Sequence, residues 1–554
     1  MTLPKSALQA VRHIALVLTG MGAGFMWLAS QKVSQYFFAF VLTAAFLFIK
    51  LRWKIKTEIP EEIPQVHEGD AHWCTIEEFE ETNNPDGNFD NGLWIGGRLT
   101  RSKFFNAVVI GGAGAGKSSG HVIPNLLIKP IGSYVVLDIK GELSYTTARA
   151  QREYGQKVYI LDFWGVQDTL GARHGIKSSG FNPFDFIKHD PENLIDNCYS
   201  IAYFLCPDRP GDKDPYWVER SRAMIKTVLL HIITGMPEKE HNFWTLYKAL
   251  RYSGDQWINL LLEMKKNLAL GGLIQIAAEE FLSMDETSAT LTGIKSNAQA
   301  ATAIFESPAL RNFMQRSEFN PFNLTNGDCT VYVVIPERFL DTHSTWLRLV
   351  IGLCLKACNA KPNNPVCFFL DEAPLLKKMA DIQKNFAFGR GQNIRMFLYA
   401  QSVSALKEIY GDAWEGFIAN AAVVQLYGGA RDHMTRTYFS NLLGQKTVTK
   451  KSKSFGSSTS KDGESNSTGT SYSTEKQPLL TPEQIGNVDG IITIADGKKF
   501  VISNLPYFKN RYENVSVDAE WLDDEEKALL RQGIIPSDAI HELFMQKADQ
   551  PLRF

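Results

Sequence analysis

Gly111, Gly112, Ala113, Gly114, Ala115, Gly116, Lys117, Ser118 and Ser119 follow an apolar run and precede a helix-like stretch. Gly111, Gly116, Lys117 and Ser118 occupy every fixed position of the phosphate-loop pattern GxxxxGK[ST]. Glycines let backbone N–H groups turn inward on phosphates, and the helix that follows adds its positive end. In such a loop Lys117 reaches the β- and γ-phosphates and the Ser118 hydroxyl ligates Mg²⁺, so ATP with Mg²⁺ is the expected cofactor pair. A phosphate loop also needs an acid on a neighbouring strand, and "VCFFLDEA" supplies two. Asp371 is placed to hold Mg²⁺ through water, and Glu372 to polarise the attacking water. An adjacent acid pair is also what a helix N-terminus attracts; with a phosphate loop upstream, the catalytic assignment is the one carried forward. The Asp-Glu pair favours ATP motors over GTP switches.

Two further residues belong to this chemistry. Gln401 ends the strand-like "IRMFLYAQ", where an amide can sense the γ-phosphate. Arg390, in "FAFGRGQNIRMF", lies on the loop before that strand. A guanidinium reaching a neighbouring subunit's phosphate contributes roughly 10³–10⁵ in rate where it operates; the competing assignment is a solvated loop arginine. Other chemistries find little here. His67 and His72 are five apart in a glycine-containing loop, not the four that a zinc-binding helix needs. Cys354 and Cys358 share a helical face, but no histidine or second thiol pair lies nearby. No LSGGQ-like signature, Ser/His/Asp or Cys/His arrangement stands out.

The elements that must position these residues are short β-branched runs alternating with helical patterns: Ala107–Ile110, 134–137, 158–161, 330–335, Val366–Leu370, 396–399 and Val423–Tyr427. Several are apolar nearly throughout, as strands buried on both faces must be. That predicts a mostly parallel sheet with helices on both sides. Between about residues 190 and 300 the alternation stops, and Trp217, Met224, Val228 and Ile232 keep one helical face apolar. An all-helical insert in one α/β domain accounts for both patterns.

The chain has 554 residues, enough for two or three cores, and a net charge of −2 that gives no global support to nucleic-acid binding. The seven cysteines are scattered without a CxxC pair and read as reduced core thiols. Between Arg12 and Lys50 only Lys32 is charged. One helix through that stretch would reach about 55 Å against a hydrocarbon core of ~30 Å. Two spans, about 13–31 and 33–50, are expected instead, with both termini cytoplasmic because basic residues flank both ends. "TEIPEEIPQVHEG" reads as a linker, and more than half of residues 447–474 are Ser or Thr, which predicts a mobile surface loop or solvated hairpin.

Several separated stretches together resemble one family: "HEGDAHWCTIEEFE", "GAGAGKSSGHVIPNLL", "YVVLDIKGELSYTTA", "FNPFDFI", "LDEAPLL", "GRGQNIRMFLYAQSVSALKEIYG" and "QPLLTPEQI". They resemble the type IV coupling proteins, TraG/TraD-like ATPases of conjugation and type IV secretion, over about residues 67–515. The resemblance implies an α/β fold: a RecA-like P-loop ATPase domain with an inserted all-helical domain, preceded by an N-terminal transmembrane helical hairpin. The expected organisation is a membrane anchor at 1–57, a nucleotide-binding domain at 58–190 and 301–515, an all-helical domain at 191–300 and a short acidic tail at 516–554. It further implies an inner-membrane ATPase, a hexamer, that delivers relaxase-bound single-stranded DNA or effector proteins to a type IV secretion channel. It strengthens the assignment of Arg390 to a neighbouring subunit's site and of Gln401 as a sensor. The short outer loop and short tail depart from the family pattern. Two alternatives stand beside this reading: a membrane docking platform that binds ATP with little turnover, and an FtsK-like double-stranded DNA pump, for which no DNA-reading terminal module is seen.

Overall fold

The computed structural model describes residues 71–83, 92–96, 99–170, 174–208, 215–285, 288–360, 363–460 and 463–504. A small antiparallel pair, β1 (Leu93–Gly96) and β2 (Leu99–Arg101), comes first. The main sheet then begins with β3 (Ala107–Ile110), β4 (Ser133–Asp138) and β5 (Lys157–Leu161). After a long helical stretch it resumes with β6 (Cys329–Val334), β7 (Val366–Leu370), β8 (Ile394–Ala400) and β9 (Val423–Tyr427). A separate ribbon follows, β10 (Gln445–Ser460) with β11 (Gly463–Pro478), and β12 (Ile491–Ala495) and β13 (Lys498–Ile502) return to the main sheet.

The nine-stranded sheet runs β13-β12-β9-β3-β8-β7-β4-β6-β5. From β9 to β5 every pairing is parallel, and β12 and β13 close one edge antiparallel. Side-chain alternation explains the two layers around it. Val108, Ile110, Val135, Leu137, Phe368, Leu370 and Leu398 enter one core, and their neighbours Val109, Tyr134, Val136, Cys367, Phe369, Phe397 and Tyr399 enter the other. Strands with period-2 burial on both faces must be apolar throughout, which is why they were legible as short runs. All seven expected strands form, each within two residues of its expected ends.

Helices follow one another from Pro183 to Phe313, the longest being Tyr216–Gly235. On it Met224, Val228 and Ile232 are fully buried, and Trp217 packs half-buried against Gly293. The architecture is thus a mixed α/β domain carrying an inserted helical subdomain. Residues 445–478 form a regular antiparallel ribbon, in register from Gln445↔Pro478 to Ser460↔Gly463. Thr and Ser suit paired backbone with both faces wet, so the polar composition that argues against a core does not argue against a strand.

One expectation needs correction. Among the described residues no helix is long and apolar enough to cross a membrane. The spans assigned to about 13–31 and 33–50 lie outside the described residues, as does the acidic tail at 516–554. The hydropathy of the first fifty residues therefore gains no helix to support it. The fold is stated without an N-terminal transmembrane hairpin, and the two-helix inner-membrane localisation is withdrawn with it.

Candidate nucleotide site

β3, β8 and β7 lie side by side and parallel, so their carboxyl ends open on the same edge of the sheet. β3 ends at Ile110 and hands over to the glycine loop, β8 ends at Ala400 before Gln401, and β7 ends at Leu370 before Asp371. In parallel α/β sheets this edge is where ligands bind.

The loop is a cradle. Gly114 and Gly116 hold φ of +74° and +88°, which side-chain-bearing residues rarely adopt. Gly112, Ala113 and Gly114 are exposed, and nothing stands within 4 Å of where a Cβ on Gly112 or Gly114 would point. Ser118–Val122 forms a π-helical turn that continues as the α-helix Ile123–Leu127. Lys117 is buried and folds back into the loop, its Nζ donating to the Gly111 and Gly112 carbonyls. That posture leaves an ammonium ready to exchange two carbonyls for phosphate oxygens. Ser119 is half-buried, with Oγ 3.4 Å from the Gly116 carbonyl.

Ser118 Oγ donates to Asp371 Oδ2 at 3.3 Å, bringing residues 253 apart in sequence into contact. A hydroxyl and a carboxylate at this separation form an all-oxygen donor pair of the kind Mg²⁺ selects. Lys117 Nζ lies 3.8 Å from Glu372 Oε1. Burial first, then the neighbouring Glu372, pushes the Asp371 carboxyl up to about 6, against the pull of Lys117 and Ser118. Glu372 is also raised by burial, opposed by Lys117 and by a hydrogen bond from the Gln401 side chain. Glu372 itself sits in the left-handed region, φ 57°, ψ 54°. Such backbone strain in a non-glycine residue costs about 1–3 kcal/mol and persists only where the surroundings over-determine it.

Arg390 does not join this group. It is exposed in the turn Gly389–Gln392, which precedes β8 and so lies at the opposite, amino-terminal edge of the sheet. Seven residues of strand separate the two edges, about 23 Å at 3.3 Å per residue.

Sequence reasoning missed four contributors. Asp138 ends β4, the neighbour of β7, fully buried and likewise pushed up to about 6 by burial. Glu142, four residues on, is raised by burial, and the Asp371 charge adds to this while Lys140 opposes it. The available signal was the same as for Asp371: an acid at the end of an apolar run. Asn504, beyond β13, donates its amide N–H to the Ala115 carbonyl at 3.0 Å and packs against Gly116 and Gly120. His121, wholly buried, pairs its Nδ1 with the Tyr399 hydroxyl at 2.6 Å and so ties the loop's helix to β8. Nothing in sequence spacing announces either contact.

Comparison with known proteins agrees with this geometry. The family model described as "Type IV secretory system Conjugative DNA transfer" matches residues 68–530. Protein VirD4 of Rhizobium radiobacter is 24% identical over 469 residues, covering 81% of this chain and 65% of its own length. The conjugal transfer protein TraG of Agrobacterium fabrum is 23% identical over 389 residues, covering 69% of this chain and 56% of its own. The chain thus spans just under two thirds of the length of these curated relatives, or less. Among solved structures, the bacterial conjugative coupling protein TrwBdeltaN70 superimposes with a TM-score of 0.60 at 15% identity, covering 81% of this chain and 98% of its own. TrwB in complex with ADP and Mg²⁺ does so at 0.57 and 16% identity, covering 80% and 94%. At these identities the superpositions establish a shared RecA-like fold with its helical insert. With the family model covering most of its length, the chain belongs to the type IV secretory system conjugative DNA transfer family.

Proposed function

We propose that this chain is an ATP-hydrolysing coupling protein that recruits a macromolecular substrate and drives it into a type IV secretion channel. The observation that carries the reading is the convergence of Ser118–Asp371, Lys117–Glu372 and Gln401–Glu372 at one edge of the sheet. TrwB, of the same fold, has been solved with an ATP analogue and with ADP and Mg²⁺. The residues present fit such a ligand: an open glycine cradle, a buried lysine and an oxygen pair.

When bound, magnesium–ATP supplies a γ-phosphoryl group poised for in-line attack by water. Backbone N–H groups of residues 112–118 turn onto its phosphates, and Lys117 moves from loop carbonyls to phosphate oxygens. Ser118 and Asp371 hold the cation, Asp371 through water. Glu372 takes the proton of the attacking water; its raised proton affinity makes it a better base than an ordinary surface glutamate. Gln401, bonded to Glu372, orients that carboxylate and reports on the γ-phosphate. Arg390, at the far edge of its own sheet, serves the site of an adjacent copy, which makes the working unit a ring, a hexamer as the resemblance implies. Single-stranded DNA bound to a relaxase, or effector proteins, is the proposed cargo, and type IV channel components are the proposed partners.

The test is turnover and transfer in Lys117→Ala and Glu372→Gln. Each removes an interaction made in the transition state, so ATP hydrolysis should fall at least 10²-fold, and substrate transfer should cease. Wild-type transfer by both variants would favour the second reading, a docking platform that binds ATP with little turnover. Salt-dependent binding of single-stranded DNA separates nucleic-acid cargo from protein cargo.

A further inference from the structure

The segment that leads into the ATPase fold carries a second cluster of metal-ligating side chains, away from the nucleotide edge. His72 and Cys74 sit two apart on an extended stretch, and Ile76–Asn83 follows as a helix. Extended backbone puts alternate residues on the same side, so the imidazole and the thiol face together. Thr75 caps the helix: Glu78 N–H donates to Thr75 Oγ1 at 3.3 Å, and Thr75 N–H donates to Glu78 Oε2 at 2.8 Å. This reciprocal box folds the Glu78 carboxylate back past the helix start, toward Cys74. One ligand atom from each of His72, Cys74 and Glu78 lies within 4.8 Å of the other two.

We infer that His72, Cys74 and Glu78 form a site for a borderline divalent cation of the zinc class. The donor set decides the class. A thiolate, an imidazole nitrogen and a carboxylate together suit zinc, whereas Mg²⁺ and Ca²⁺ take oxygen alone. With Zn–S near 2.3 Å and Zn–N near 2.0 Å, tetrahedral ligand atoms stand about 3.5 Å apart. The cluster therefore needs to close by roughly 1 Å, and His72, exposed on the outside, is the arm that can swing in. A carboxylate has lone pairs for a cation as well as for the Thr75 N–H. Three protein ligands leave the fourth position to water. Binding displaces the Cys74 thiol proton to solvent, so affinity rises with pH.

The surroundings say what the ion would do. Cys74 N–H donates to the Lys499 carbonyl at 2.8 Å, and Phe79 packs edge-on to Phe500 at 4.8 Å. Both partners belong to β13, at the antiparallel edge of the sheet. A cation held by residues 72, 74 and 78 clips the entry segment into one rigid corner against that edge, and touches none of the nucleotide-site residues.

The experiment is titration of the full chain with Co²⁺ alone, followed by competition with Zn²⁺. The expected result is one equivalent bound with a thiolate-to-cobalt charge-transfer band, bleached by Zn²⁺. Cys74→Ser should abolish the band, and His72→Ala, on an exposed side chain that leaves folding intact, should weaken Co²⁺ binding at least tenfold. Glu78→Gln keeps the capping box and should weaken binding as well. Absence of the band in the unsubstituted protein overturns the inference. So does a band that survives Cys74→Ser, or Co²⁺ affinity unchanged by His72→Ala.

Discussion

Asn504→Ala tests whether the phosphate loop is held from outside. The substitution deletes the Nδ2–H bond to the Ala115 carbonyl, 3.0 Å long, and empties the slot between Gly116 and Gly120. A neutral bond of this kind contributes about 1 kcal/mol net. Asn504 Oδ1 is buried without a hydrogen-bond partner, so removing it recovers part of a desolvation penalty. The balance is about 0.5–1.5 kcal/mol of loop order, or roughly a two- to tenfold weaker grip on ATP. The assay is equilibrium binding of a fluorescent ATP analogue, with urea unfolding measured on the same samples. Gly120→Ala supplies the second arm of a cycle. A Cβ there would lie 2.7 Å from Asn504 Oδ1 and 3.3 Å from Tyr427 Cε1. It should therefore dislodge the Asn504 amide and weaken ATP binding when Asn504 is present, and do much less in the Asn504→Ala background. A coupling energy above about 0.5 kcal/mol is the signature of residues in contact. Additive effects, or a loss of global stability as large as the loss of binding, would refute the idea that Asn504 acts by ordering the loop.

The other predictions concern the two edges of the sheet and its buried histidine. Mixing Arg390→Ala chains with Lys117→Ala chains should restore some ATP hydrolysis, because a loop intact in one chain meets an arginine intact in the other; none in well-mixed rings would remove Arg390 from a neighbour's site. Burial holds the His121 imidazole at about 3 instead of 6.5. Between those values the unfolded chain binds the extra proton, so the contribution to stability is complete above pH 6.5 and falls away as pH drops towards 3. At about 1.4 kcal/mol per pH unit, lowering the pH from 7 to 5 should cost the unsubstituted protein about 2 kcal/mol more than His121→Gln. Equal urea-midpoint shifts in the two proteins would contradict this.

Much of the scaffold was legible because buried parallel strands leave little choice of residue. Val366–Leu370 and Val423–Tyr427 could be bounded to the residue, since polar or turn-forming neighbours end the apolar run at both sides. The glycine loop and Asp371 were legible for a related reason: both interrupt apolar strands at the edge where chemistry happens. Register was not legible. That Arg390 lies about 23 Å from its own chain's loop follows only from β8 running parallel to β3, and periodicity does not give pairing direction. The ribbon 445–478 was obscured because Ser and Thr signal both solvation and extended backbone. His72 and Cys74 escaped because the spacing test applied was that of a helix, whereas the segment is extended first and helical afterwards.

Asp138 and Asp371 mark the boundary of what spacing can tell. They terminate adjacent parallel strands in equivalent positions, and burial pushes both carboxyls up to about 6. Their surroundings differ. Asp138 accepts from Leu143 N–H at 3.2 Å, Ser144 N–H at 2.8 Å and Ser144 Oγ at 2.6 Å, and so spends its lone pairs on the start of the helix Glu142–Glu153. The strand carrying Asp371 turns instead through left-handed Glu372 into a short 3₁₀ turn, and Asp371 accepts a longer bond from the Ser118 hydroxyl across the site. One aspartate is committed to its own helix, whereas the other faces a residue that a bound cation would share. The distinction rests on whether the next residue enters a helix or a strained turn. That single backbone difference at Glu372 makes β7, and not β4, the strand that carries the reactive carboxylates.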